Sequence, residues 1–205
     1  MKKLLPYFIV LVLVLGLGVV HAQDKTPPLV AKRKFAHDAQ IETVYDKTKD
    51  QTAVVMRWYR VDWPDPDKRH LNPLGLPYEK LDIQAAFGFG GRSLTATPES
   101  VQLEIRIQYL GGSKFKARDT PILMAIVDGE SISLGSTLLI ANKTWVEIDG
   151  GIQLSFERFS AHFKYIGLLR IATARKVSLK IGQVEFDLQE RHLEALRDLA
   201  SRMVP

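Results

Sequence analysis

The clearest strand pattern in the chain is Val101-Gln-Leu-Glu-Ile-Arg-Ile-Gln-Tyr109. Its apolar residues alternate strictly with polar ones, so an extended chain places every apolar side chain on the same face. This alternation predicts a strand with one face buried and the other in water, which is typical of an antiparallel sheet.

Short apolar segments of the same kind recur on both sides of this strand, separated by Gly, Pro, Asp and Asn at intervals of about ten residues. Asp128-Gly129 predicts a hairpin turn, because these residues accept the positive φ angles of a tight turn, and Gly182-Gln183 predicts a second one. The predicted strands are Thr43–Asp46, Thr52–Arg60, Leu81–Phe89, Val101–Tyr109, Ile122–Val127, Glu130–Leu134, Leu138–Ile148, Ile152–Arg158, Lys176–Ile181 and Val184–Leu188. The pattern predicts a mainly β fold: an antiparallel β-sandwich or, alternatively, a partly open barrel.

Two helices are predicted among these strands. The first is an insertion from Ser160 to about Ala174, where apolar residues recur every three or four positions. The second is amphipathic and lies near the C-terminus, where an apolar stripe from Leu193 to Met203 follows Asp187 and Glu190, which have the spacing of a capping box. We expect this C-terminal helix to pack on the sheet.

Residues 1–22 have the pattern of a signal peptide. Lys2 and Lys3 precede an almost wholly apolar run from Leu4 to Val20, and Ala22 supplies a small residue at the cleavage site. We expect cleavage after Ala22 and a periplasmic or secreted protein with no stable membrane span. The alternative is an uncleaved anchor in the inner membrane, because the apolar run reaches the lower limit for crossing a bilayer core of about 30 Å.

The rest of the chain divides into a tether and one domain. Residues 23–40 are polar and contain Pro27-Pro28 and Lys32-Arg33-Lys34, a composition that predicts a tether. Residues 41–205 then form a single β-rich domain of ordinary size.

The charge is small and evenly spread. Loss of Lys2 and Lys3 with the signal peptide lowers the excess of basic over acidic residues from five to three. A nucleic-acid partner is therefore disfavoured, since such proteins concentrate Lys and Arg in a basic footprint. The chain has no cysteine, so its stability is expected to come from its core, without disulfides.

The longest irregular stretch, Asp62 to Lys80, follows a segment rich in aromatic and basic residues. Long loops of this kind are often binding loops, and aromatic rings beside cations suit sugars or anionic polymers. The candidate binding residues are Arg57, Trp58, Tyr59, Arg60, Trp63, Arg69 and His70. The simpler interpretation is packing, with Trp58 or Tyr59 in the core and Trp63 holding the loop in place, because large aromatic residues are mostly buried.

No catalytic or metal-binding pattern is present. The histidines after the signal peptide are isolated in sequence, and there is no Gly-x-Ser-x-Gly motif. These histidines are His37, His70, His162 and His192. Asp62, Asp65 and Asp67 could suggest calcium, but the intervening prolines and the basic residues that follow disfavour it. We therefore predict no catalytic residue, no metal and no cofactor.

The C-terminal two-fifths of the chain resembles an arrangement found in uncharacterised exported bacterial proteins. The resemblance is carried by the Asp128-Gly129 turn, Phe163, Ala174-Arg175-Lys176-Val177, Ile181-Gly182, Glu185-Phe186 and the Leu193–Leu199 helix. These are turns and core positions, so the resemblance implies an extracytoplasmic β-rich module and carries no catalytic residue across.

We therefore expect an exported, non-enzymatic β-sandwich module that binds a protein or another envelope component, such as a polysaccharide. The alternative is an enzyme acting on cell-wall or extracellular carbohydrate. Such an enzyme would stack sugars on Trp58 or Trp63 and use carboxylates in acid and base roles. The candidate carboxylates are Asp62, Asp65 and Asp149, which would have to lie within about 10 Å of each other.

Overall fold

The computed structural model describes residues 34–64, 79–112, 115, 120–147 and 152–205. Within these ranges, nine antiparallel strands form one curled sheet, a half-barrel, accompanied by two helices. The predicted mainly β antiparallel fold, with an inserted helix and a C-terminal helix, is confirmed. Its sheet has the partly open, curled form.

The strands in chain order are β1 Ile41–Asp46, β2 Gln51–Val61, β3 Lys80–Gly90, β4 Ser100–Leu110, β5 Ile122–Val127, β6 Glu130–Glu147, β7 Ile152–Lys164, β8 Val177–Ile181 and β9 Val184–Leu188. The helices are α1 Tyr165–Thr173 and α2 Glu190–Ser201. Across the sheet the order is β1-β2-β3-β4-β7-β6-β5-β8-β9. Every predicted strand corresponds to one of these, except that two predicted strands are the two ends of β6.

The long strand β6 connects two parts of the sheet. Its residues up to Ser136 pair with β5, and its residues from Thr137 onward pair with β7. Gly135 lies at this change of partner with a φ of 109°, a left-handed conformation that favours glycine and lets the strand bend. We refer to β1, β2, β3, β4, β7 and the end of β6 as the first part of the sheet. The second part comprises the start of β6 with β5, β8 and β9.

The core lies inside the curl. The five apolar residues that alternate along Val101–Tyr109 in β4 are buried there, as the alternation predicts. Phe115 packs its ring against Phe159 of the first part, with ring centres 4.7 Å apart. The same ring contacts the turn between β8 and β9 so closely that a Cβ on Gly182 would lie 2.8 Å from it. Phe115 therefore links the two parts across the core.

Helix α1 begins later than the sequence predicts. β7 stays paired with β4 through Ser160 and onward to its own end, and the helix begins only at Tyr165. Phe159, Ala161 and Phe163 are buried at every second position, as in a strand. Pairing with β4 therefore prevails over the three-to-four-residue spacing that suggested a helix from Ser160.

Helix α2 packs against β2, β3, β9 and α1, so it spans between strands near opposite edges of the curled sheet. The residues that it buries include the whole predicted stripe: Leu193, Leu196, Leu199 and Ala200, with Met203 just beyond the helix. The predicted packing of the C-terminal helix on the sheet is confirmed.

The predicted capping box of α2 is wrong by two residues. The N-cap is Gln189, whose backbone N–H donates to Nδ1 of His192 at 2.9 Å. Asp187 remains in β9, where its carboxylate accepts a hydrogen bond from the hydroxyl of Ser178 on β8. Because β9 continues to Leu188, Asp187 is too early in the chain to cap the helix.

The N-terminal end of the described chain lies along α2. The backbone N–H of Ala36 donates to the carboxylate of Glu194 at 3.3 Å, and Nε2 of His37 lies 3.2 Å from the carboxylate of Asp198. Residues 34–40, the last part of the predicted tether, are thus held against the domain. The predicted signal peptide, residues 1–22, and residues 23–33 lie outside the described residues. No helix in the described part of the chain has the length and apolarity needed to cross a membrane.

Candidate functional site

A β-bulge in β2 separates Trp58 from Tyr59. Met56 and Tyr59 are both buried in the core although they are three positions apart, which strict alternation does not allow. The register with β3 shifts between them, so Arg57 and Trp58 stand opposite the single residue Gln84. As a result Trp58 lies on the outer face of the sheet, the face turned away from the core, while Tyr59 faces the core.

On the outer face, two arginines from neighbouring strands lie over the ring of Trp58. The guanidinium carbon of Arg106 is 4.5 Å from the ring centre, and that of Arg158 is 5.4 Å away. Arg106 on β4 is the direct cross-strand partner of Arg158 on β7 and also of Asp82 on β3. The register of three strands therefore brings these side chains together around one aromatic ring.

Two carboxylates hold the arginines in place. Asp82 accepts hydrogen bonds from Nε of Arg60 and, at 2.9 Å, from Nη2 of Arg106. Glu104 accepts from Nε of Arg158 at 2.8 Å. We call this set the outer-face cluster, which consists of Trp58, Arg60, Asp82, Glu104, Arg106 and Arg158.

The arginines of the outer-face cluster are more exposed than its carboxylates. The arginine side chains are about a third to a half exposed, whereas the carboxylate side chains of Asp82 and Glu104 are only 6% and 10% exposed. Three cations are thus set above two largely buried anions. The cluster has a net charge of one positive unit, and its solvent-facing groups are guanidiniums.

Of the five candidate binding residues that the structure describes, two come together, Trp58 and Arg60. Arg57 forms an ion pair with Glu42 on β1 instead, and Trp63 is partly buried against the core. Tyr59 is a core residue, as the packing interpretation proposes for one of the two aromatics. Several residues named in the sequence predictions lie outside the described residues: Asp65, Asp67, Arg69, His70 and Asp149.

Four members of the outer-face cluster were missed by the sequence predictions: Asp82, Glu104, Arg106 and Arg158. The alternation of β4 does put Glu104 and Arg106 on its polar face, so the sequence indicates that two of these four residues lie on the same side of one strand. The register of β4 with β3 and β7, which supplies Asp82 and Arg158, cannot be read from single strands.

On the core side, Tyr59 belongs to a second group of polar contacts. Its hydroxyl donates to the carboxylate of Asp38, which raises the pKa of Tyr59 together with the larger effect of burial. Its ring meets that of His192 edge to face, with centres 5.0 Å apart. These contacts fasten the N-terminal segment and α2 to β2.

Both ring nitrogens of the buried His192 are occupied. Nδ1 accepts from the backbone N–H of Gln189, so Nε2 carries the proton and donates to the carbonyl of Arg60 at 2.8 Å. Burial lowers the pKa of His192, which keeps the imidazole neutral. Because both ring nitrogens are hydrogen-bonded within the chain, His192 has a structural role.

Of the three carboxylates proposed for the enzyme alternative, the structure describes Asp62, and this carboxylate is also occupied. Asp62 accepts a hydrogen bond from the side-chain amide of Gln189 and lies 3.7 Å from the guanidinium of Arg191 at the start of α2. Among the residues that the structure describes, no group of His, Asp or Glu could hold a metal ion. The arrangement best suited to recognition is the outer-face cluster, which offers guanidinium groups to an anion. Comparisons with protein families, curated proteins and solved structures find no match for this chain.

Proposed function

We propose that this protein is an exported, non-enzymatic β module that binds an acidic partner in the cell envelope, a protein or a polysaccharide, through the outer-face cluster. One observation carries the proposal. The guanidiniums of Arg106 and Arg158 are fixed over Trp58 at the surface, while the carboxylates that hold them are largely buried.

Fixed guanidiniums favour anion binding for two reasons. Arg matches the planar geometry of carboxylate and phosphate groups and can donate two parallel hydrogen bonds to them. Holding the side chain against an aromatic ring and a carboxylate also reduces the conformational entropy that binding would otherwise cost. The exposed arginines of the outer-face cluster meet both conditions.

A binding role is supported over catalysis by what surrounds the candidate catalytic groups. One nitrogen of the His192 imidazole caps α2, and the other is hydrogen-bonded to the carbonyl of Arg60. The carboxylate of Asp62 accepts a hydrogen bond from Gln189, the N-cap of α2. Asp82 and Glu104 are each held by guanidinium groups. In the described part of the chain these groups build structure, so recognition is the function that the arrangement favours.

Binding is tested most cleanly with Arg60→Gln. This variant removes an exposed cation but leaves Asp82 paired with Arg106, so the fold should persist. The matched control is Arg170→Gln, which removes an arginine of similar exposure from an ion pair with Glu130 on a different face. The probe is poly-L-glutamate, titrated calorimetrically into the purified protein at low ionic strength.

We expect Arg60→Gln to weaken polyglutamate binding by about fivefold, because one exposed cation contributes roughly 1 kcal/mol to such an interaction. Arg170→Gln should bind as the unmodified protein does. Equal losses in the two variants would show that only overall charge matters, and this result would overturn the proposal.

The proposal includes export with removal of residues 1–22. The supporting observation is the sequence pattern of Lys2, Lys3 and the apolar run that ends before Ala22. The intact mass of the protein recovered from an envelope fraction tests it. A chain that begins at Gln23 is expected, and a mass that retains residues 1–22 would instead support the anchored alternative.

A further inference from the structure

Three aliphatic side chains are exposed where β5 and β6 adjoin the first part of the sheet. Leu138 is 66% exposed, Ile122 is 53% exposed and Ile140 is 43% exposed. We call these three residues the apolar border. Isolated aliphatic residues are common on protein surfaces, but neighbouring ones beside a charged cluster indicate an interaction surface.

The apolar border is continuous with the outer-face cluster. Leu138 pairs across the strands with Ser160, which lies two positions after Arg158 on the same face of β7. Diagonal neighbours of this kind are about 7 to 8 Å apart in an antiparallel sheet, so Leu138 lies next to Arg158. Ile122 pairs with Ser136, two positions before Leu138, and extends the border onto β5.

We infer that the partner is a protein segment in which a short run of carboxylates is followed by a short run of aliphatic side chains. It lies across the outer face from β2 to β6, with its carboxylates on the arginines of the outer-face cluster and its aliphatic groups on Leu138 and Ile140. This inference rests on the proposed function, since it names the partner of the same outer-face cluster. The acidic groups of the partner are placed by charge complementarity to the arginines. Its aliphatic groups are placed by the apolar border, which adjoins those arginines.

The chemistry of the combined surface favours a protein over the other acidic envelope components. A polysaccharide offers hydroxyl and carboxylate groups but no aliphatic side chains to bury against Leu138. A lipid bilayer is flat, whereas this surface is on the outside of a curled sheet. A protein segment can follow that curvature and supply both kinds of group.

The test uses two synthetic peptides of equal length and charge, one with a run of Glu followed by a run of Val and the other with a run of Glu followed by a run of Ser. Their affinities for the purified protein are measured by calorimetry at low ionic strength. The protein variants are Leu138→Ser and Arg60→Gln, with Ile166→Ser as the control for removing an exposed aliphatic residue elsewhere, on α1. Vesicles of phosphatidylglycerol are tested in parallel by co-sedimentation.

We expect the Glu-Val peptide to bind about tenfold more tightly than the Glu-Ser peptide, because it buries apolar surface as well as pairing charges. Leu138→Ser should remove this advantage and leave Glu-Ser binding unchanged, while Ile166→Ser changes neither affinity. Arg60→Gln should weaken the binding of both peptides.

The contrary outcomes are distinguishable. If Arg60→Gln weakens both peptides but Leu138→Ser affects neither, the protein-partner inference fails and the proposed function stands. If Arg60→Gln weakens neither, the proposed function fails as well. If the protein binds vesicles through Leu138 and shows no preference between the peptides, the partner is a membrane surface and the inference is overturned.

Discussion

Trp58 and Tyr59 are adjacent in sequence, yet they organise two different polar regions. On the outer face, Trp58 lies beneath arginines whose carboxylate partners are largely buried. On the core side, Tyr59 contacts Asp38 and His192, which join the N-terminal segment and α2 to the sheet. Both regions combine an aromatic ring, charged groups and hydrogen bonds within a few ångströms.

The difference lies in which groups reach water. In the region around Tyr59 the polar atoms face other parts of the same chain, so their hydrogen bonds fasten one element to another. In the outer-face cluster the arginines are more exposed than the carboxylates that hold them, so some of their N–H donors face solvent. The region around Tyr59 thus holds elements of the chain together, whereas the outer-face cluster exposes its guanidinium groups to solvent.

The largest expected effect separates these two aromatics. Tyr59→Ala removes a buried ring and should lower the free energy of unfolding by about 3 to 5 kcal/mol. Trp58→Ala, on the outer face, should cost only about 1 to 2 kcal/mol, from lost packing and cation–π attraction. Urea denaturation of both variants measures the difference, and similar losses at the two positions would contradict the division between core and surface roles.

The next comparison concerns two carboxylates that each pair with arginine. Asp82→Asn leaves Arg60 and Arg106 without their shared anion beneath the surface, and should cost about 1 to 3 kcal/mol of unfolding free energy. Glu42→Gln, which breaks an exposed pair with Arg57, should lower the free energy of unfolding far less, because solvent screens that pair. The same denaturation assay compares the two variants. An equally small cost for the two variants would mean that Asp82 does not organise the outer-face cluster.

A pH series tests the region around Tyr59. Burial lowers the pKa of His192 and outweighs the hydrogen bond to the carbonyl of Arg60, which raises it. The charge of Arg191 lowers the pKa further, and those of Asp62 and Asp38 raise it. The unfolded chain therefore takes up a proton near pH 6.5 that the folded chain does not, and the free energy of unfolding falls as pH decreases below about 7. The slope of this contribution should reach at most about 1.4 kcal/mol per pH unit and end at the folded-state pKa.

The control for this series is a pair of histidine variants. His192→Gln should remove the slope, whereas His162→Gln, at an exposed position of β7, should retain it. Asp38, whose pKa is lowered chiefly by the hydrogen bond from Tyr59, stays ionised over this range and does not contribute to the slope. A curve for the unmodified protein that is flat between about pH 7 and 5 would contradict the neutral, capping role of His192.

Much of the fold could be predicted because strand formation here follows local alternation. The limits of β5 and β9 match the predicted ones, and β4 differs by one residue at each end. The start of α1 could not be predicted, since it depends on how far β4 continues to pair with β7. The N-cap of α2 was missed for a related reason: the length of β9 determines where the helix can begin.

The candidate site was harder to predict than the fold. Only a shift in register with β3 reveals that Trp58 points outward while Tyr59 points inward, and nothing in the sequence of β2 marks the bulge. Arg158 reaches Trp58 because β7 pairs with β4, although β5 and β6 lie between them in the chain. Residues that meet through such non-local pairing cannot be found from motifs or spacing.

Strand β6 also bears on how the protein folds. It hydrogen-bonds with β5 at one end and with β7 at the other, so neither part of the sheet can lose it and remain intact. The hairpins β5–β6 and β8–β9 pair strands that are neighbours in the chain, so they can form early. The pairing of β4 with β7 is non-local, because β5 and β6 lie between them in the chain, and it is expected to form later. Because β6 belongs to both parts of the sheet, it couples the fast formation of local hairpins to the slow formation of the β4–β7 pair. We therefore expect the domain to fold and unfold as a single cooperative unit.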